Sequence, residues 1–213
     1  MNATTDPFTV EIIGEMLRAS AEEIFLTLGR TAQSPIIYEV LDMACGLVTA
    51  QGELIAEAEG VPGFIGCLSF AVQEILEKFG AGAMRPGDVY VTNDPYSGGG
   101  THLSDVVLVS PIIFQGELVG FAANKAHWTE VGGMAAGSLT TDAAEICQEG
   151  LQLPAIKIYA GGEPVASIID LIEGNVRLPD MMLSDLYAGV VAIRAGEARL
   201  REICERHGVA IIH

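Results

Sequence analysis

Two histidines and a carboxylate stand at the spacing a metal centre needs. His102 and Asp105 are three residues apart, and His127 closes the next apolar segment, GFAANKAH. Neutral imidazoles with a carboxylate suit manganese, iron or zinc, and a position left open on such an ion polarises a water or a carbonyl. Asp94 could supply a further oxygen. The segment that carries three of these residues reads Asn93-Asp94-Pro95-Tyr96-Ser97-Gly98-Gly99-Gly100-Thr101-His102-Leu103-Ser104-Asp105. Pro95 restricts the turn, and the glycine run permits close backbone approaches, so several polar side chains can converge on one point. The same residues also admit a plainer use: Asp94 and Asp105 as turn caps, His102 on loop backbone, His127 packed beside Trp128. Spacing leaves both readings open.

Other groups could share the chemistry. Asn93 could orient an aspartate or a substrate, and Lys125 could stabilise developing negative charge or form a structural ion pair. Glu145 and Glu149, four apart, are candidates for a catalytic acid or base, or for a solvated acidic patch on a helix face. The loop from Glu130 to Ser138, EVGGMAAGS, could form a backbone cradle near the pocket. It lacks the Gly-x-x-x-x-Gly-Lys-Ser/Thr pattern, and the chain has no Gly-x-Gly-x-x-Gly, so ATP is not assigned to it. Ser104 beside His102 does not make a triad by adjacency, and Cys147 near Glu149 is a weaker nucleophile candidate still.

These residues need elements to hold them. DVVLVSPIIF and GELVGFAANKAHW read as two strands turning at Gln115-Gly116, a hairpin whose open end would return His127 to the loop of His102 and Asp105. Pro111 implies an edge, a bulge or an interruption in the first strand. DVYVTNDP reads as a strand entering a turn, and ACGLVTA, QGE and LIAEAE as a strand pair. After Pro7, the spacing of Val10, Ile13, Leu17, Ala21, Ile24 and Leu28 predicts an amphipathic helix ending near Gly29 and Arg30, with an incomplete cap at Thr9. Leu68, Val72, Ile75, Leu76 and Phe79 mark a second helix closed by Gly80. Leu183, Leu186, Val190, Ile193, Leu200 and Ile203 mark a third from about Pro179 to Arg206. With no regular βαβ repetition, the expected class is α+β, mixed helices and antiparallel strand pairs, with no internal boundary between residues 1 and 213.

Composition narrows the partners. Eleven basic against 28 acidic residues give a formal charge of −17 over 213 residues, which opposes nucleic acid and anionic lipid surfaces and also serves plain solubility. Cys45, Cys67, Cys147 and Cys204 form no CxxC pair and read as buried thiols. The first residues carry no signal-peptide pattern and no apolar run reaches a membrane span, so the expected compartment is the cytoplasm.

Over nearly the whole chain the sequence resembles the hydantoinase B/oxoprolinase family, which includes the corresponding large subunit of acetone carboxylase. The resemblance is carried by RTAQSPIIYEVLDMACGLVTAQGELIAEAE, PGDVYVTNDPYSGGGTHLSDVVLVSPI, GELVGFAANKAHWTEVGGMAAGS, EICQEGLQLPAIKIY and NVRLPDMMLSDL. It implies a metal-binding subunit, with His102, Asp105 and His127 as ligands, Asp94 as an additional acidic ligand, and manganese as the first choice of ion ahead of iron or zinc. It also implies an ATP-using hydantoinase A-type partner that activates the substrate by phosphorylation. The family's B-type chains are longer, so the residues resemble an N-terminal portion: either a further B-like chain supplies the rest or the sequence is a fragment of a longer one. Family members carry histidines in the segment aligned with residues 59–66, where this sequence has Gly60 and Phe64. That difference gives precedence to carboxylation of a small ketone or related carbonyl over hydrolysis of a cyclic amide such as a hydantoin, oxoproline or lactam. The reading from another class is a noncatalytic assembly subunit.

Overall fold

The central strands read as unbroken apolar runs because both faces of their sheet are covered. The computed structural model describes residues 6–64 and 66–212. In chain order the elements are α1 (Pro7–Thr31), α2 (Pro35–Tyr38), β1 (Met43–Thr49), β2 (Leu54–Glu57), α3 (Cys67–Phe79), β3 (Val89–Thr92), β4 (Asp105–Phe114), β5 (Glu117–His127), β6 (Ile156–Ala160), β7 (Glu163–Pro164), α4 (Ala166–Glu173) and α5 (Pro179–His207). The seven strands form one sheet in the order β2-β1-β5-β4-β3-β6-β7, and every neighbouring pair is antiparallel. The class is α+β, as expected.

Alternation along each strand divides the core in two. Val106, Leu108 and Ala122 join Ile24, Leu28, Val190 and Ile193 of α1 and α5. Val107, Val109, Phe121 and Ala123 point the other way, onto Leu68, Ala71, Val72 and Ile75 of α3. A period of two thus serves two apolar layers at once. No helix among the described residues is long and apolar enough to cross a membrane.

The periodic helices lie close to where their spacing places them, with differences of local origin. Val10 is 55% exposed, and the buried face of α1 starts at Ile13 and runs through Leu17, Ala21, Ile24 and Leu28. The helix also begins before Thr9: Pro7 occupies its first turn, where a missing N–H costs nothing. Of the edge, bulge or interruption expected at Pro111, the structure shows a local edge in a continuous strand. The proline sits where β4 has run past β3, which pairs only with Val107–Val109, and a bulge follows between Ile112 and Ile113. The short elements α2, α4, β6 and β7 carry too few residues for a period to show.

A buried ion pair ties the far side of the sheet. Asp88, ahead of β3, accepts from Lys157 Nζ at 2.6 Å, Gly161 N at 2.9 Å and Arg85 N at 3.0 Å. Burial alone would raise its carboxyl pKa, but the Lys157 hydrogen bond and charge and the two backbone donors reverse this and hold it below the usual carboxylate value. Because the folded value lies below the unfolded one, this stabilisation is present above about pH 4 and is lost as pH falls through the folded value. Asp88→Asn is expected to cost about 2 kcal/mol at pH 7, a melting-temperature drop of roughly 4–8 °C. It should also flatten the loss of stability between pH 5 and 3. Thermal unfolding across that pH range checks both, and an unchanged acid limb would show that Asp88 does not drive it.

Candidate metal centre

The hairpin of β4 and β5 makes the site. Gln115 and Gly116 form its two-residue turn with φ of 51° and 87°, the left-handed pair that matches the twist of antiparallel strands. From that turn the register runs to Asp105 opposite His127. Paired residues share a face, so both side chains project toward the α3 side, together with Lys125 and Val107. Asp105 N–H donates to His102 O at 3.0 Å and Trp128 N–H to Ser104 O at 2.8 Å, a turn that folds His102 back over Asp105.

The three side chains meet. His102 Nε2 and His127 Nδ1 each stand 3.5 Å from Asp105 Oδ1, the imidazole centroids are 4.9 Å apart, and one ligand atom from each residue falls within 4.8 Å of the others. Oδ1 is buried without a hydrogen-bond partner. An uncompensated acceptor of that kind is costly in a protein interior and calls for a cation or a donor. Two imidazole nitrogens and one free carboxylate oxygen on a common point therefore fit a divalent transition metal. Asp42, just before β1, adds a carboxylate oxygen 3.7 Å from His127 Nδ1, and its carbonyl accepts the His127 N–H at 3.0 Å.

Asp105 Oδ2 is committed elsewhere. It accepts from Thr101 Oγ1 and lies 3.4 Å from Lys125 Nζ. The Lys125 side chain is 0% exposed; its ammonium also donates to Gly99 O at 3.1 Å and sits 4.1 Å from the Phe64 ring centre. Burial would raise the Asp105 pKa, but His127, Thr101 and the Lys125 and His102 charges outweigh it and hold the carboxyl low. Gly99 makes this arrangement available: its φ is +71°, and a Cβ there would stand 2.4 Å from Cys67 O at the start of α3.

The remaining expected site residues divide by position. Asn93 is buried and its amide is spent on backbone: Nδ2 donates to Leu103 O at 2.8 Å and Leu151 O at 2.9 Å, and Oδ1 accepts from Leu153 N at 2.7 Å. It clamps the loop ahead of Asp105 to the segment that follows Glu149. Asp94 stands outside the group of ligand atoms. Its Oδ1 accepts from Tyr96 N at 2.8 Å and its Oδ2 from Ser97 Oγ at 2.9 Å, the side-chain turn its residue type favours.

Glu145 and Glu149 do line a cleft of about 410 Å³ with Tyr96, Thr101 and His102. They flank a single 3-10 turn, Ile146–Gln148, rather than sharing a helix face, and Glu145 caps that turn through a reciprocal pair with Gln148. The glycine loop after Glu130 is not an anion cradle. Buried Glu130 gathers Gly132 N, Ser138 Oγ, Arg177 N and Arg177 Nη1, while Met134 N and Leu151 N fasten the loop to Gln148 O and Val131 O at 2.7 Å each. That fastening supports the cleft wall that carries both glutamates.

Asp42 and Thr101 were not among the sequence candidates. Thr101 lay in plain view, adjacent to His102. Asp42 becomes visible only once β1 is known to pair with β5, Met43 opposite Ala126, across more than eighty residues of chain.

Comparison with known proteins agrees with this architecture. The profile described as hydantoinase B/oxoprolinase matches residues 6–213. The chain is 33% identical over 97% of its length to 5-oxoprolinase 1 of Arabidopsis thaliana, covering 17% of that protein. An ATP-dependent caprolactamase structure from Pseudomonas jessenii superposes with a TM-score of 0.91 at 32% identity, over 98% of this chain and 36% of that one. A nucleotide-free acetone carboxylase structure gives a TM-score of 0.86 at 20% identity, over 97% and 27%, which speaks to the fold alone. The chain thus spans little more than a third, or less, of each of these relatives.

Proposed function

The chain belongs to the hydantoinase B/oxoprolinase family, and from that premise we propose that it is the metal-holding portion of an ATP-dependent, multisubunit enzyme that opens a small cyclic amide. The observation that carries the proposal is the uncommitted Asp105 Oδ1, faced by His102 and His127 at 3.5 Å at the margin of a cleft large enough for a small ring. In this reading ATP is used by a hydantoinase A-like partner, and the parts of the relatives that this chain does not span come from further B-like polypeptide.

His102, Asp105 and His127 would hold the ion, with Asp42 beside His127 Nδ1 and manganese, zinc or iron as its identity. When bound, the ion supplies Lewis-acid polarisation of a ring carbonyl or of a water. The chain's own residues do the rest. Thr101 and Lys125 keep Asp105 Oδ2 turned away, Tyr96 lines the cleft, and Glu149, on the same lining, would accept or return a proton from the opened ring. Glu145 supports that wall through its cap.

Hydrolysis takes precedence over carboxylation here because Gly60 and Phe64 both have local reasons. A Cβ on Gly60 would stand 2.4 Å from Met43 O, and Phe64 lies beneath the Lys125 ammonium. Neither therefore argues for a carboxylase pocket, whereas the named relatives above 30% identity act on ring amides by name. Product analysis of the assembled enzyme tests the choice. ATP-dependent formation of a ring-opened acid from a lactam, hydantoin or oxoproline is the expected result; incorporation of labelled bicarbonate into a ketone, with no ring-opened acid, would replace it with carboxylation.

A further inference from the structure

We propose that Lys125 is the resident counterion of Asp105: its ammonium keeps the carboxylate in position before an ion arrives and opposes that ion once it is bound. The centre is then formed in advance, and it binds its metal less tightly than its ligands alone would. The proposal rests on the metal-holding reading above.

A lysine ammonium shut away from water needs its charge answered by the protein. Three groups answer this one: Asp105 Oδ2 at 3.4 Å, Gly99 O at 3.1 Å and the Phe64 ring at 4.1 Å. Each is presented by a different element, namely β4, the glycine loop and the turn before α3. Lys125 therefore ties together the three segments that shape the centre.

The same geometry fixes its effect on an ion. Lys125 and Thr101 engage Oδ2, so Asp105 would offer an ion its Oδ1 alone. A divalent cation at Oδ1 faces the ammonium across a single carboxylate. In a buried site that repulsion is poorly screened by salt and acts against binding. Without an ion, the lysine relieves the two buried charges of each other's cost; with an ion, the metal does that work and the lysine is superfluous.

This makes a signed prediction for Lys125→Met, which keeps chain length and removes the charge. Wild type and variant would be stripped with chelator, then melted with and without saturating Mn²⁺ or Zn²⁺, and their metal affinities measured by competition with a chromophoric chelator. The stripped variant should melt well below stripped wild type, saturating ion should close most of that gap, and the variant should bind metal on the order of tenfold more tightly. A variant that folds only in the presence of the ion gives the same support. A gap of equal size with and without metal would reduce Lys125 to a packing residue and overturn the proposal. So would a fall in affinity of about 10–100-fold, which is what removing a partner that only orients a ligand produces. A variant that stays unfolded even at saturating ion also overturns it, because the metal should take over the lost charge. If wild type itself takes up no ion, the metal-holding reading fails with it; if wild type binds and the variant is unaffected, only the role of Lys125 falls.

Discussion

The His102→Ala/His127→Ala variant is expected to lose its stoichiometric metal and to lower turnover of the assembled enzyme by roughly 10³-fold or more. Two of the three convergent donors vanish, and a single carboxylate oxygen cannot hold a transition metal against water and buffer. The fold should survive. The His102 side chain is 31% exposed, His127 is buried but belongs to neither apolar layer, and the hairpin beneath them is held by its ladder and both apolar layers. Elemental analysis without added metal, circular dichroism and turnover in the complex would be read together. Unchanged metal content and unchanged turnover would sink the centre and leave the chain as an assembly platform, the rival reading. Loss of metal with full turnover would separate the ion from the reaction.

Glu130→Ala should have the opposite profile: a large loss of stability with the metal retained. Glu130 is 1% exposed and receives the 130–138 loop on one side and Arg177, just ahead of α5, on the other. Its removal leaves two backbone N–H groups unanswered and releases an arginine that also holds Gly133 O at 2.6 Å. Allowing for the partial exposure of Arg177, the cost is about 3 kcal/mol, or a fall of roughly 6–12 °C in melting temperature for a chain of this size. The loop it frees braces Gln148 and Leu151, so the wall carrying Glu145 and Glu149 loosens, while the β4–β5 ladder that presents Asp105 and His127 is held by its own pairing. Calorimetry with metal analysis checks this. A melting temperature within 2 °C or so of wild type would show that the clamp is redundant; loss of metal would show that the cleft wall and the centre are one unit.

What the sequence disclosed depended on how local the cause was. The convergence of His102, Asp105 and His127 was legible because one hairpin joins them, and Gln115-Gly116 advertises that hairpin's turn. The buried faces of α1, α3 and α5 were legible because their apolar periods are long; that they cover opposite sides of one sheet was not. Asp42 was not, since its nearness to His127 depends on β1 joining β5, a pairing no local signal announces. Asn93 looked like a substrate-orienting amide, yet it is consumed by three backbone partners whose positions follow from tertiary structure. The spacing of Glu145 and Glu149 permits a shared helix face or a solvated acidic patch; the 3-10 turn between them follows the cap pairing Glu145 with Gln148 instead. Lys125 could be picked out as a charge near the site, but its direction, inward to Asp105 rather than outward to a ligand, depends on Phe64 and Gly99.

The turn at Gln115-Gly116 lies at the other end of the hairpin from Asp105 and His127, about ten residues and so roughly 30 Å away. Strand side chains alternate faces, so a slip of one residue between β4 and β5 would send His127 to the α1/α5 side while Asp105 stayed on the α3 side. On the proposed reading the centre would gauge strand alignment: an ion would be captured only by chains in which the distant two-residue turn and the bulge between Ile112 and Ile113 have set the register. A substitution at Gly116 that forces a different loop length would silence the metal site without touching any residue near it, and metal uptake during refolding would report on hairpin register.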